Sequence, residues 1–312
     1  MKRDRFLRAS LSAAGAVAVP RIALGQTPAT VRVATLPLDA GSAVFYAEDQ
    51  GFFRDVGIVS ETQIISNGGA IAAAVASGAV DVGFSNLVSV VIAYKHGVPI
   101  ALIAPGSLDV VQAPTTILIA SHDSNVKSAS DLNGKTIATN GLQNILQFSA
   151  EAWIDKNGGQ SSSVHFVEMP FPDMINALAT NRVDAAVVVE PFVTDAKNAG
   201  HVLGATDGAV APRLLIGCWI ATRAWAGANA ATVARFARAM SRGAEWANAH
   251  RKESGAILAR HSQLPEHTIE TMQRVTYPTQ FVMAEMQPVI DLTVRYGNVG
   301  PAFPASQLIF TP

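Results

Sequence analysis

The feature of this sequence that most constrains its fold is a regular alternation of short β-rich runs with helical segments. Apolar and β-branched runs predict strands at Val31–Leu36 and Val80–Phe84, and residues with helical spacing follow, as in Leu87–Tyr94. Such alternation is typical of a mostly parallel sheet covered by helices. We therefore predict an α/β fold.

The alternation occurs twice along the chain. A second set of strand-like runs begins at Thr115–Ala120 and includes Val183–Val189, a near-continuous apolar run that suits a sheet buried on both faces. After the apolar run Leu214–Thr222 the pattern is almost entirely helical, and Ala230–Ala249 has the spacing of an amphipathic helix. Two sets of strands and helices predict two lobes.

The helical tail is expected to return to the first lobe. The predicted division is residues 30–112 and 214–312 for lobe I and residues 113–213 for lobe II. Crossovers near Val111–Thr116 and Pro212–Cys218 would then form a two-segment hinge.

Composition restricts the function classes. The chain has 312 residues, 49% hydrophobic content, 15% charged residues and a net charge of −1. No basic stripe is present, so a nucleic-acid partner is not expected. Cys218 is the only cysteine and lies in an apolar run, so we expect it to be buried and no intramolecular disulfide to form.

The N-terminus has the pattern of an export signal. Lys2, Arg3, Arg5 and Arg8 precede the short apolar run Leu11–Val19, and Ala23-Leu24-Gly25 supplies small residues at a cleavage site. We predict a cleavable signal peptide over residues 1–25, read by either a Sec or a twin-arginine-like system, with a mature chain from about Gln26. An uncleaved anchor is the alternative.

Motifs for catalysis and for metal or cofactor binding are missing from the sequence. There is no GxGxxG after a strand, no GxxxxGK[ST] and no HExxH. Residues Gly83–Leu87 resemble half of a nucleophile elbow but lack its second glycine. We predict no catalytic residue, no metal and no cofactor.

Four corners between a strand and the following helix are candidates for ligand binding. Ligands of open α/β sheets bind at the carboxyl ends of strands, where helix N-termini present free N–H groups. The corners are Pro37–Ser42, Ser66–Gly69, Ser85-Asn86 and Thr139–Asn144. Their candidate residues are Leu38, Asp39, Ser42, Gly68, Gly69, Ser85, Asn86, Asn140, Gly141, Gln143 and Asn144. Ordinary helix capping is the alternative interpretation, because Ser, Asn and Gly are favoured there anyway.

Three further side chains complete the predicted site. Glu190 follows the buried strand Val183–Val189 and either accepts hydrogen bonds from a ligand or braces the hinge. Phe192 and Trp219 either stack on a flat ligand or pack in the core. Asp39 is either a ligand acceptor or a solvated loop charge. None of the four corners contains Arg or Lys.

Several of these segments resemble one family of binding proteins. They are Tyr46–Phe53 with Gly57-Ile58, Gly68-Gly69 with Val80–Gly83, Asp131–Lys135, and Leu178–Asn181 with Val183–Ala185 and Glu190-Pro191. In this order and spacing they resemble the aliphatic-sulfonate, taurine, nitrate and thiamine-pyrimidine binding proteins. The resemblance implies a type II periplasmic binding-protein fold whose two lobes close on a small molecule. It also implies an inner-membrane ABC permease and its ATPase as partners, a periplasmic location and a monomer.

The expected function is therefore that of a solute-binding protein of an ABC importer. A sulfonate, a carboxylate and a pyrimidine-like solute all remain open. Pyrimidine binders of the family usually have an aromatic residue and an amide after the first strand, where this chain has Leu36-Pro37-Leu38-Asp39. The alternative is an enzyme on the same fold that acts on a small organic acid or pyrimidine. Such enzymes are cytosolic, so the export signal weighs against it.

Overall fold

The structure, a computed structural model, describes residues 28–262 and 264–311. The predicted signal peptide and the predicted first mature residue, Gln26, lie outside these residues. The described part contains ten strands, numbered in chain order: β1 Ala29–Thr35, β2 Ile58–Ile64, β3 Val82–Asn86, β4 Ile100–Val110, β5 Thr116–Ser121, β6 Thr136–Thr139, β7 His165–Glu168, β8 Ala185–Val189, β9 Gly200–Ala205 and β10 Arg213–Thr222.

Twelve α-helices occur in the same part of the chain. They are α1 Ala43–Asp49, α2 Phe52–Asp55, α3 Gly68–Ala76, α4 Leu87–Lys95, α5 Ile145–Lys156, α6 Phe171–Ala179, α7 Val193–Ala199, α8 Arg223–Ala228, α9 Ala230–Ala249, α10 Arg251–Ser262, α11 Glu266–Thr271 and α12 Met283–Gly297. No helix in the described residues is both long and apolar enough to cross a membrane.

The strands form two five-stranded sheets with the same arrangement. The first has the order β2-β1-β3-β10-β4, and the second has the order β7-β6-β8-β5-β9. In each sheet the first three strands are parallel, and the fourth strand runs antiparallel to its neighbours on both sides. The predicted α/β class is confirmed, and the sheets are mixed rather than parallel throughout.

The chain crosses between the sheets twice, and each crossing leads into the fourth strand of a sheet. The first link, residues 111–115, leads into β5, and the second link, residues 206–212, leads into β10. The two links are adjacent, since the backbone N–H of Val111 donates to the carbonyl of Pro212 at 3.0 Å. The second link lies before most of the predicted crossover Pro212–Cys218, because residues from Arg213 onward already pair with β4.

The core of the first sheet surrounds β10. Cys218, Trp219 and Ile220 are completely buried there, so the expectation for the lone cysteine is confirmed. A Cβ at Gly217 would lie only 2.2 Å from the Phe84 ring. Because residue 217 has no side chain, β10 can pack closely on the Phe84 ring of the neighbouring strand β3.

Several local predictions differ from the structure. The sequence pattern predicts one helix over Val44–Phe53, but Gly51, with a φ of +73°, divides this segment into α1 and α2. The pattern also predicts a helix over Pro288–Tyr296 with Pro288 in its first turn, whereas α12 begins at Met283 and has Pro288 inside it. Helices α7 and α8 and strand β9 were not predicted.

The C-terminal part of the chain holds the lobes together. Helix α12 packs against β10 and α4 of the first lobe and against α5 of the second. Its Tyr296 hydroxyl donates to Asp155 of α5 at 2.9 Å. The tail that follows runs along the surface and is attached to the first sheet, since Leu308 is buried and Ile309 pairs with Leu102 of the edge strand β4.

Candidate functional site

A cavity of about 180 Å³ lies between the two sheets. Its lining includes residues at the carboxyl ends of β1 and β3 in the first sheet and of β6 and β8 in the second. A single water needs roughly 10–15 Å³ of such space, so the cavity has room for a small molecule.

All four predicted corners contribute to this cavity. Nine of the predicted site residues line it: Leu38, Asp39, Gly68, Gly69, Asn86, Asn140, Gly141, Asn144 and Glu190. The corners at Leu38, Gly68 and Asn86 come from the first lobe, and the corner at Asn140 comes from the second. Helix termini from both lobes therefore border one cavity.

Asparagine caps give three of these corners their shape. The Oδ1 atom of Asn67 accepts from the backbone N–H of Ala70 at 2.8 Å, and Asn86 accepts from Ser89 at 2.9 Å. Asn144 accepts from two backbone N–H groups, those of Leu146 and Gln147, both at 3.1 Å. The alternative interpretation of these corners as helix caps is therefore correct for Asn86 and Asn144, which also line the cavity.

Two of the first-lobe corners touch each other at Gly68. A Cβ on this residue would lie 2.9 Å from Asn86 Nδ2 and 3.1 Å from Ser85 Oγ. A Cβ on Gly69 would meet no atom closer than 3.4 Å. The missing side chain at residue 68 thus permits the close approach of α3 and α4, whereas a Cβ at residue 69 would make only an ordinary contact.

Two predicted serines brace corners and do not line the cavity. The buried hydroxyl of Ser42 donates to the carbonyl of Leu38 at 2.8 Å. The buried hydroxyl of Ser85 donates to the carbonyl of Gly68, also at 2.8 Å. Each bond holds a backbone segment that itself borders the cavity.

Phe192 and Trp219 lie one layer behind aromatic rings of the cavity wall. Phe171 lines the cavity, and Phe192 stacks on it with ring centroids 5.2 Å apart. Phe84 lines the cavity from the opposite lobe, and Trp219 packs edge-on against it with ring centroids 5.4 Å apart. The predicted stacking residues therefore support two rings that were not predicted. Gln143 also lies outside the lining, and its backbone N–H donates to Gln147 Oε1 at 2.8 Å.

Asp39 is not solvated, and both of its carboxylate oxygens already accept hydrogen bonds. Its side chain is buried, and Oδ1 accepts from Arg274 Nε at 2.6 Å and from the Tyr277 hydroxyl at 2.7 Å. Oδ2 accepts from the backbone N–H of Val275 at 2.9 Å. The interpretation as a solvated loop charge is wrong, because the carboxylate is buried and ion-paired. The interpretation as a ligand acceptor stays a prediction, since Asp39 also lines the cavity.

Glu190 is placed differently. It lines the cavity with 7% of its surface exposed, and Oε1 accepts from the backbone N–H of Gln273 at 3.2 Å. Its Oε2 has no hydrogen-bond partner among the described residues. Burial raises the pKa of the Glu190 carboxyl above its ordinary value.

A second buried carboxylate, Asp207, lies in the second link and also lines the cavity. Within the described chain neither of its oxygens has a hydrogen-bond partner, although the hydroxyls of Thr116 and Ser149 are near enough to lower its pKa. Burial, followed by the nearby charge of Asp109, raises the pKa of Asp207 to about 7. Asp109 accepts from the Thr115 N–H and hydroxyl at 2.8 and 2.7 Å.

Several residues of the lining were not predicted. Glu168 ends β7 and Phe171 begins α6, so the strand-end rule applied to the other corners would have included them. Asp207 and Gln273 lie in segments without a periodic pattern, and no sequence signal points to them. Among the described residues, no group of three or more His, Cys, Asp or Glu side chains is placed to hold a metal ion.

Comparison of folds places this architecture among periplasmic binding proteins. The aliphatic sulphonate binding protein SsuA of Escherichia coli aligns with a TM-score of 0.72 and 18% identity over 91% of this chain and 93% of that one. The alkanesulfonate-binding protein SsuA of Xanthomonas axonopodis pv. citri, solved bound to MOPS, aligns with a TM-score of 0.75 and 16% identity over 92% and 99%. The nitrate-binding protein NrtA of Synechocystis PCC 6803 aligns with a TM-score of 0.74 and 14% identity over 90% and 85%.

At these identities the solved structures establish the fold, and the expected two-lobed periplasmic binding-protein architecture is confirmed. No curated protein sequence matches the chain. The protein-family model described as NMT1/THI5 like matches residues 41–254, which is more than half of the chain and most of both lobes. The chain therefore belongs to the NMT1/THI5-like family.

Proposed function

We propose that this protein is the extracytoplasmic solute-binding component of an ABC importer. The observation that carries the proposal is the meeting of helix-terminus corners from two lobes at one cavity. Residues 30–112 and 214–312 would form lobe I, and residues 113–213 lobe II. A solute held between them would be released to an inner-membrane permease whose ATPase drives uptake.

Binding would act by shifting an equilibrium between open and closed forms. The two links, residues 111–115 and 206–212, lie side by side and can serve as a two-segment hinge. Glu190 of lobe II and Gln273 of lobe I are joined by a hydrogen bond across the cavity. Closure would complete such contacts around the solute and present both lobes to the permease.

The class of solute is a small organic molecule. Similarity to proteins named for alkanesulfonate and nitrate binding supports a compact solute, and sulfonates, carboxylates and pyrimidine-like molecules remain candidates. The neutral donors at the corners and the apolar wall support binding without a metal or cofactor. We propose a monomer located in the periplasm after removal of residues 1–25.

We also propose that the protein is not an enzyme. Among the described residues that line the cavity there is no histidine, cysteine or lysine. Serine and threonine hydroxyls and four carboxylates do line the cavity, but no histidine or lysine base accompanies them in the described lining, which supports binding over catalysis.

Small-angle X-ray scattering tests the proposal. Thermal-shift screening of sulfonates, aromatic acids, pyrimidines and amines first identifies a compound that binds the native state. We expect that compound to reduce the radius of gyration of the mature protein, whereas a related compound without a thermal shift leaves the radius unchanged. A tightly bound compound that produces no compaction would contradict the proposed mechanism.

A further inference from the structure

The ionisable side chains that line the cavity are all acidic. Asp39, Glu168, Glu190 and Asp207 contribute carboxylates, and the described part of the lining contains no lysine, arginine or histidine. A cavity that held an anion through ionic contacts would require the opposite composition.

These four carboxylates are not equivalent. Asp39 is neutralised by Arg274, and Glu168 is exposed to solvent at the end of β7. Glu190 and Asp207 are buried, with 7% and 1% of their surface exposed, and neither forms an ion pair among the described residues. Oε2 of Glu190 and both oxygens of Asp207 also have no hydrogen-bond partner there.

A buried carboxylate without a partner is unfavourable, and the free energy falls when a donor or a positive charge reaches it. The charged groups near Glu190 are Lys197, which is exposed on α7, and Asp39, which is already paired. Asp109 is the charged neighbour of Asp207 and adds further negative potential. These two carboxylates would repel an anionic solute, whereas a cation would relieve their negative potential.

The rest of the wall is largely apolar. Phe84 and Phe171 present their rings from opposite lobes, and Leu38, Val189 and Ile216 add aliphatic surface. Such a wall fits the body of a hydrophobic molecule, while the acidic groups fit one polar end. A solute with both parts would satisfy the whole cavity.

We propose that the solute is a small organic cation with an apolar body, and that an ammonium or amidinium N–H of this solute donates to Oε2 of Glu190. Asp207 adds to the negative potential that favours the positive charge. This inference rests on the proposed solute-binding function and narrows the candidate solutes to those that carry a positive charge.

Probes that share a body and differ in charge test the inference. The first set is benzylammonium, benzyl alcohol and phenylmethanesulfonate, and the second is butylammonium, butanol and butanesulfonate. Affinities are measured by calorimetry at pH 7.5 on the mature protein. A hydrogen bond to a charged group predicts that each ammonium binds at least about tenfold more tightly than its alcohol, and that each sulfonate binds more weakly than the alcohol.

Variants locate the effect. Glu190→Gln should remove most of the preference for each ammonium over its alcohol. Glu245→Gln, on the exposed face of α9 and outside the lining, should behave as the original protein. Circular dichroism and melting temperature establish that both variants fold. The inference is overturned if ammonium probes bind no better than the alcohols, if a sulfonate binds best, or if Glu190→Gln leaves ammonium binding intact.

Scattering separates this inference from the proposed function. A sulfonate that binds and compacts the protein would overturn the charge preference and leave the transport proposal standing. An ammonium that binds with the expected preference but without compaction would support the charge preference and contradict closure.

Discussion

Arg274 Nε lies 2.6 Å from Asp39 Oδ1, in an ion pair that is buried on both sides. The pair joins the first ligand corner, directly after β1, to the segment that follows α11. Arg274 Nη2 also donates to the Tyr46 hydroxyl at 2.7 Å, so one guanidinium organises a buried polar cluster. The C-terminal helical part of the chain therefore determines the shape of a corner near the N-terminus.

Removal of one partner of this pair should be strongly destabilising. Asp39→Asn leaves the Arg274 charge buried without its counter-ion, and the expected loss is about 3–5 kcal/mol in the free energy of unfolding. Urea denaturation at pH 7 measures it. The surface pair Arg242–Asp55 supplies the control, and Asp55→Asn should cost about 1 kcal/mol or less. Equal losses in the two variants would show that the buried pair has no special role.

The close approach of two corners at Gly68 predicts different results for neighbouring glycines. In Gly68→Ala the new methyl group would lie about 3 Å from Asn86 and Ser85, and overpacking of this kind costs about 1–3 kcal/mol. In Gly69→Ala the methyl group makes only an ordinary contact, 3.4 Å from Asn67 Oδ1, and stability should be unchanged or should rise by up to about 1 kcal/mol because alanine favours the helix. Thermal unfolding of both variants checks the difference. Equal destabilisation would show that the spacing of the corners does not decide the outcome.

Asn144 should stabilise the N-terminus of α5 through its side-chain oxygen. Asn144→Ala removes the acceptor of the Leu146 and Gln147 N–H groups, and the expected loss is about 1 kcal/mol. Asn144→Asp keeps an acceptor and adds a charge that the helix dipole favours, so its stability should stay close to the original. Chemical denaturation compares the two. Asn144 Nδ2 also donates to Asn140 Oδ1 at 2.8 Å, and loss of stability in both variants would assign the role to that bond.

Much of the fold was predictable because it follows from local pattern. Helix α9 was predicted with its observed bounds, Ala230–Ala249, since its apolar face repeats with helical spacing. Strand β10 was predicted to within one residue because Leu214–Thr222 is a continuous apolar run. By contrast, most residues of β9 are half-buried, and Gly200 and Gly204 leave it without a clear apolar pattern. This strand forms because it pairs with β5, which is a tertiary contact.

The corners of the site were predictable for a related reason. Strand ends and helix starts are local features, and the carboxyl ends of neighbouring strands meet at one edge of a sheet. Which side chain faces the cavity is a matter of packing between distant segments. The sequence therefore predicted Phe192 and Trp219 as the aromatic residues of the site. In the structure Phe171 and Phe84 line the cavity and pack on these two side chains. The partner of Asp39 lies 235 residues further along the chain, beyond the range of any local pattern.

Asp207 should make the stability of the protein fall as the pH rises. Its pKa is about 7 in the folded protein and 3.8 as an ordinary aspartate, so the native state holds its proton more tightly than the unfolded state does. The stabilisation from this proton is complete below about pH 4 and is lost as the pH rises through about 7. Between pH 5 and pH 8 the loss amounts to roughly 2–3 kcal/mol at 1.36 kcal/mol per pKa unit.

Asp207→Asn removes this titration, since the amide stays neutral throughout. Relative to the original protein the variant should gain about 2–3 kcal/mol between pH 5 and pH 8 in urea denaturation. Asp109 faces Asp207 and also has a pKa raised by burial, so part of the pH dependence will remain in the variant. Asp195→Asn, at an exposed position in α7, is the matched control and should show a constant difference from the original over this range. If the free energies of unfolding of Asp207→Asn and the original protein also differed by a constant amount, Asp207 would be ionised in the folded protein at every pH tested, and its raised pKa would be contradicted.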